Sequence, residues 1–240
     1  MRIIVIGQTS YQEKDLIINA ISSDGPISFK VRGGLSPTSP FGWLNTPLVV
    51  ADVEYVENVR YRHQILKGAT MVSSPMEGEV SLEKMESLSL VLEVINKMFS
   101  EDEKHLMYYE TERFIAAVKS ASKFHLMELI YIAKAIYFAG SALEVNRCVF
   151  CGSKKNIVAF SFSDGGFVCK KCIQDNTNTE LSYSQMKLIR YVVNKKNYED
   201  LPEDKVSIED MRALFIKFRD FISEGIGANL DIIDKIVKEL

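Results

Sequence analysis

Four cysteines, the only ones in 240 residues, fall into two Cys-x-x-Cys pairs: Cys148 with Cys151, and Cys169 with Cys172, with seventeen residues between the pairs. A Cys-x-x-Cys loop turns two sulfurs toward one point. Two such loops facing each other supply four thiolates at the corners of a tetrahedron, the donor set zinc takes in structural sites. Gly152 relieves the tight turn after the first pair, and Gly165-Gly166 offers a hairpin turn between the pairs. A lone pair is a weak signal; the doubled pair at this spacing is a strong one.

Three other chemistries fit less well. Disulfides need an oxidising compartment, and Met1 runs directly into a strand-like segment with no secretory leader. A redox dithiol uses one reactive pair and leaves the second without a role. A catalytic zinc keeps one position open for water, whereas four thiolates close the sphere, and the window lacks the His-x-Glu of a zinc deaminase. The expectation is a structural Zn2+ held by Cys148, Cys151, Cys169 and Cys172.

Within the same stretch stand Lys154, Lys155, Lys170 and Lys171 against Asp164 alone, a balance of +3. Such lysines either offset the charge of a metal–thiolate cluster or face an anionic partner, and the sequence leaves both readings open.

The elements that carry this stretch divide by composition. Five of six prolines precede residue 80, and residues 79–139 contain neither proline nor glycine. That step places a domain boundary at 79/80, with residues 1–79 as one domain and 80–240 as a second that carries a zinc element at 146–174. The first part reads as five short strands: 2–7, 16–21, 27–31, 48–56 and 59–65, with a turn at Ser23-Asp24-Gly25-Pro26. Five strands in about 75 residues fit a small closed oligonucleotide-binding (OB) barrel.

Strand alternation places Lys30 with Arg32, and Arg60 with Arg62, on faces opposite the core. If those strands pair, four cations form a patch that tracks phosphates, with Tyr11, Phe41 and Trp43 as stacking surfaces beside it. Strands solvated on one face also carry Lys and Arg for no further reason, and the single Trp fits equally well as a barrel plug. The barrel region as a whole has seven cations against eight acids, a balance of −1.

From Ser81 the period turns helical, through Met85, Leu88, Leu92, Ile95 and Phe99. Further helices are expected through Phe114 to Ala121, over 124–139 with Gly140 as C-cap, over 186–193, from a cap at Ser207, and over 230–237. Helices flank the cysteine stretch on both sides, so it reads as a staple inserted in a helical domain. His105 and His125 each stand alone on a helix without a carboxylate at ligand spacing, and read as boundary residues. No phosphate loop, Ser-His-Asp grouping or paired-carboxylate site is visible, and no apolar run is long enough to span a bilayer. These features point to a cytoplasmic protein that is not an enzyme.

The run Phe138-Ala139-Gly140, Leu143, Cys148-Val149-Phe150-Cys151-Gly152, Phe160-Ser161, Gly165-Gly166, Cys169 and Cys172 closely resembles the zinc segment of the bacterial RecO family of DNA repair and recombination mediators. Tyr11, Glu13 and Asp15, the run Lys30-Val31-Arg32-Gly33, and Phe221-Ile222 before Gly225 and Gly227 are similar to that family more loosely. The resemblance implies an α+β multidomain chain, an amino-terminal five-stranded OB-fold β-barrel followed by an α-helical domain with an inserted four-cysteine zinc element. It further implies binding of single- and double-stranded DNA, annealing of complementary strands, and loading of RecA onto strands coated by single-strand binding protein (SSB), together with RecR. The SSB carboxy-terminal tail would be taken by a hydrophobic pocket with cations; Arg113, Lys119, Lys123, Lys187, Arg190 and Arg212 are available, with no spacing that singles out a subset. The chain departs from the family where residues 35–40 carry no cation. The reading is therefore a nucleoid-acting mediator using Lys30, Arg32, Arg60 and Arg62 on DNA. Its rival is a zinc-stapled protein–protein adaptor that does not touch DNA.

Overall fold

The computed structural model describes residues 1–57, 63–174 and 181–240. Two compact units emerge, Met1–Ala121 and Ser122–Leu240. The change from strand to helix near residue 79 thus lies inside the first unit, and the first two helices pack with the barrel's unit.

The first unit opens with β1 (Arg2–Tyr11), β2 (Asp15–Ser22), β3 (Gly25–Val31), β4 (Val50–Val56) and β5 (Gln64–Ser73), closed into a barrel in the order β1-β2-β3-β5-β4. Neighbours are antiparallel except β3 and β5, which run parallel through Phe29–Gln64 and Lys30–Ile65. Alternation fixes the inner face: Ile3, Val5, Leu16, Ile18, Phe29, Val31 and Val53 fill one core. Phe29 meets Tyr55 edge-on at 5.4 Å, a geometry ring quadrupoles favour.

The fifth strand departs from expectation. Residues 58–62, most of the expected 59–65 strand, lie outside the described residues, while β5 runs to Ser73 through Lys67, Gly68, Ala69 and Thr70. Leu66 is the buried residue of this strand, so its sequence carries little alternation. Backbone pairing with β4 defines it instead, with irregularities where Val50/Ala51 and Glu54/Tyr55 shift register.

After the barrel come α1 (Leu82–Met98), a short 3-10 turn (Lys104–Met107) and α2 (Tyr108–Val118). Ser81 caps α1 by accepting from the Lys84 amide. The buried stripe of α1 runs through Lys84, Ser87, Leu88, Val91, Val94, Ile95 and Met98, whereas Met85 is exposed. The stripe is rotated from the expected one because it includes a lysine. Lys84 Nζ donates to the carbonyls of Glu77 and Glu79, which satisfies a buried ammonium without a carboxylate.

The second unit contains α3 (His125–Phe138), a hairpin of β6 (Ile157–Ser161) and β7 (Gly166–Cys169), α4 (Tyr183–Asn194), α5 (Ile208–Gly225) and α6 (Asp231–Glu239). Helix α3 is buried almost throughout, and packs on α4 and α5. It ends where Gly140 takes a φ of +83° and the Ser141 amide donates to the Ile136 carbonyl, closing the last turn. Ser182 and Gln185 form a capping box on α4, and Ser207 caps α5. Among the described residues no helix is long and apolar enough to cross a membrane.

Candidate metal centre and nucleic-acid face

In the second unit, β6 and β7 pair with Ile157 opposite Cys169, which brings the knuckle of Cys169 and Cys172 beside that of Cys148 and Cys151. Each knuckle is a tight turn. The Gly152 amide donates to the Cys148 carbonyl at 2.9 Å with Gly152 at φ +70°, and the Cys172 amide donates to the Cys169 carbonyl at 2.9 Å. The four Sγ atoms lie within 4.8 Å of one another, and Cys151 and Cys169 are 3.6 Å apart. A zinc–sulfur bond of about 2.3 Å in a tetrahedron sets sulfurs about 3.8 Å apart, so the four fit one metal ion.

The thiols share their charge unevenly. Burial opposes ionisation of Cys148, yet the amides of Cys169, Cys151 and Phe150 aimed at its sulfur outweigh burial and bring it down to about 6. Cys172 is pushed up to about 12, first by its hydrogen bond with Cys151 and then by burial.

The hairpin is anchored firmly. Gly166 lies against the backbone of Glu144, where any Cβ would overlap the Glu144 carbonyl oxygen. Phe162 meets Phe221 of α5 at 5.5 Å, and Arg190 of α4 stands 5.1 Å over the Phe167 ring while donating to the Val145 carbonyl. The cysteine element is thus a staple packed on α4 and α5. Lys154, Lys155, Lys170 and Lys171 are all exposed on it.

The barrel places its expected cations differently. Lys30 points outward from β3, but its Nζ lies 2.9 Å from Asp15 Oδ2 and 4.6 Å from the centre of the Tyr11 ring. The Gly33 amide, then Lys30, hold the Asp15 carboxyl below its usual range. Arg32 sits past the end of β3, in a turn, exposed. Arg60 and Arg62 lie outside the described residues. Phe41 and Trp43 lean on the barrel core, with Trp43 Nε1 donating to the Pro40 carbonyl, so Tyr11 is the exposed ring of the three.

Sequence reasoning missed a groove of about 700 Å³ on the outer face of β1, β2 and β3. Thr9, Asn19, Ser28, Gln64 and Asp102 line it, together with His63, whose Nδ1 is 2.7 Å from Ser28 Oγ. The signal was present: Asn19 and Ser28 are outward residues directly opposite across β2 and β3. The amides and hydroxyls can donate and accept hydrogen bonds, while the carboxylates of Glu101 and Asp102 stand at the same groove.

His125 also differs from expectation. Its Nδ1 lies 3.1 Å from Glu128 Oε2, one helical turn on, so it has the carboxylate partner that the sequence reading denied it. His105 Nδ1 meets the Asp102 carbonyl at 2.8 Å and belongs to the 3-10 turn.

Comparison with known proteins follows the same lines. The family described as "Recombination protein O C terminal" matches residues 80–230. The chain is 27% identical over 209 residues to the DNA repair protein RecO of Caldanaerobacter subterraneus subsp. tengcongensis, covering 85% of this chain and 83% of that protein. It is 27% identical over 210 residues to the RecO of Thermoanaerobacter sp. (strain X514), with coverage of 85% and 83%. It is 23% identical over 234 residues to that of Shouchella clausii, with coverage of 95% and 89%. With a closed five-stranded barrel followed by helices, a four-cysteine cluster, and a family match across most of its length, the chain belongs to the RecO family.

Proposed function

We propose that this protein is a non-enzymatic recombination mediator in DNA repair. It binds single- and double-stranded DNA, anneals complementary strands and, with RecR, helps load RecA onto SSB-coated strands in the cytoplasm. The observation that carries this reading is the barrel order β1-β2-β3-β5-β4, an OB arrangement, in a chain whose remaining length matches the RecO family. Such a protein works by holding backbones, not by covalent chemistry. Cations offset the repulsion between two strands while their bases pair. The four-cysteine site takes a structural Zn2+, whose closed sphere supplies no reactive position.

For the acidic SSB tail, the cations divide into engaged and available. Arg113 pairs with Glu110, Lys119 with Glu77, and Lys123 with Asp204. Lys187 and Arg212, on α4 and α5, have no carboxylate partner among the described residues, and Arg212 Nε is buried without a hydrogen bond; Arg190 of α4 also lacks a carboxylate but is held by the Val145 carbonyl and the Phe167 ring. We assign the tail to these two helices.

The test is annealing of complementary labelled oligonucleotides, with binding measured across salt concentrations. Annealing with a steep inverse salt dependence supports the proposal. The adaptor reading is favoured by the Lys30–Asp15 pair, which offsets one expected phosphate contact. Absent or salt-insensitive binding would establish it.

A further inference from the structure

The two lysine pairs of the cysteine element stand on two knuckles that lie side by side. Lys154 and Lys155 follow the first knuckle, and Lys170 and Lys171 lie inside the second. The knuckles are drawn together by four sulfurs within 4.8 Å of one another and by the Lys170 amide donating to the Asn156 carbonyl at 2.9 Å. All four lysines are exposed, and none forms an ion pair among the described residues. The element's one acid, Asp164, sits in the turn at the other end of the β6–β7 hairpin, about 13 Å away by strand rise, and accepts from Ser161 Oγ.

Offsetting the metal–thiolate charge does not account for these lysines. Four thiolates with one divalent cation leave a charge of about −2, so four ammonium groups leave the surface positive. A ring stands in the same place. Phe150, between the two cysteines of the first knuckle, is 57% exposed. An acidic peptide binds through an apolar pocket as well as cations, whereas this element offers point cations beside one exposed ring. The element suits a flexible polyanion with flat bases.

We propose that the two cysteine knuckles form a second nucleic-acid contact, in which Lys154, Lys155, Lys170 and Lys171 hold the backbone of a single strand and Phe150 stacks on a base. This rests on the reading that the protein handles DNA, but uses no residue of the barrel. A metal ion in the site holds the knuckles in register; the contact itself is made by the lysines and the ring.

The experiment uses the full chain, labelled oligo-dT and a salt series. The variant K154Q/K155Q/K170Q/K171Q should flatten the slope of log affinity against log salt by about 2 to 3 units, since each phosphate contact to a single strand contributes about 0.7. The corresponding four-arginine variant should restore the slope. F150A should weaken binding about fivefold or more at unchanged slope. Metal content and thermal unfolding show that each variant is folded; should the quadruple variant lose metal, K154Q/K155Q and K170Q/K171Q read the same slope in halves. An unchanged slope in metal-loaded variants, or loss of binding to an acidic peptide with DNA binding intact, overturns this inference and leaves the mediator reading standing. A wild-type chain that binds no oligonucleotide overturns both.

Discussion

Lys30 Nζ lies 2.9 Å from Asp15 Oδ2, and the same carboxylate accepts the Gly33 amide through Oδ1 at 2.9 Å. One acid therefore holds the end of β3, its following turn and one of the four cations expected to meet phosphate. D15N leaves an amide that still accepts from Gly33 but no longer offsets Lys30. It should raise affinity for single-stranded DNA and steepen the salt slope by about 0.7. A slope unchanged in D15N would remove Lys30 from the phosphate contacts.

Among the described residues, Arg32 has no such acid directly paired with it. R32A should therefore flatten the slope more than K30A in the wild-type background, and the order should reverse or level in D15N. Oligonucleotide titrations of the three variants check this, and equal effects of K30A and R32A in both backgrounds would contradict it.

The fold and sites were legible where a residue type has few alternative uses. Paired cysteines at this spacing, Gly140 past a helix and Ser207 before one have few alternative uses, and the structure gathers the four sulfurs, ends α3 at Gly140 and caps α5 with Ser207. Features that depend on partners distant in sequence were not legible. Nothing local to Lys84 announces that the carbonyls of Glu77 and Glu79 will bury it, and the run of β5 lacks alternation because pairing with β4 defines it. Asp15 stands out in the sequence for its position near the first hairpin, but its pairing with Lys30 depends on the register of β2 and β3. The His125–Glu128 pair is different: it is one helical turn apart and open to inspection, and only the search for metal-ligand spacing hid it.

Lys84 offers a test of packing. It is 1% exposed, and its ammonium joins the segment after β5 to α1 through two carbonyls. K84M keeps the length and loses both charge-assisted bonds. Urea unfolding should show a loss of about 2–4 kcal/mol. K84R, which has a longer head, should also be destabilised, because the site is closed around an ammonium.

If the four cysteines hold zinc as proposed, stripping the metal should loosen the staple before the helices. A chelator, or C148S with C172S, leaves β6 and β7 joined by few strand bonds, with Phe160, Phe162 and Phe167 as their remaining anchor. Hydrogen exchange should rise over residues 146–172 with α3 still protected. Cobalt substitution should give the intense charge-transfer absorption of a four-thiolate site. Uniform exchange across the second unit would show that the metal holds the whole unit and not the staple alone.

Glu203 supplies a pH dependence whose sign is opposite to that of an ion-paired carboxylate. It is 8% exposed, and its Oε2 accepts the Leu126 amide at the start of α3. Burial pushes its carboxyl up from the usual range; the Leu126 amide and His125 oppose this, and Glu128 adds to it. The folded protein therefore holds the Glu203 proton more tightly than the unfolded chain does. Its contribution to stability is full below the unfolded value and is lost as pH rises through the raised folded one. E203Q keeps an oxygen for Leu126 and removes the titration. Its gain over wild type should be small in weak acid and grow toward neutral pH, where the wild-type carboxylate is charged inside the protein. Urea midpoints of the two proteins across that range decide it. A gain that shrinks as pH rises would mean that His125 and the Leu126 amide outweigh burial, and that the Glu203 carboxylate is native in its charged form.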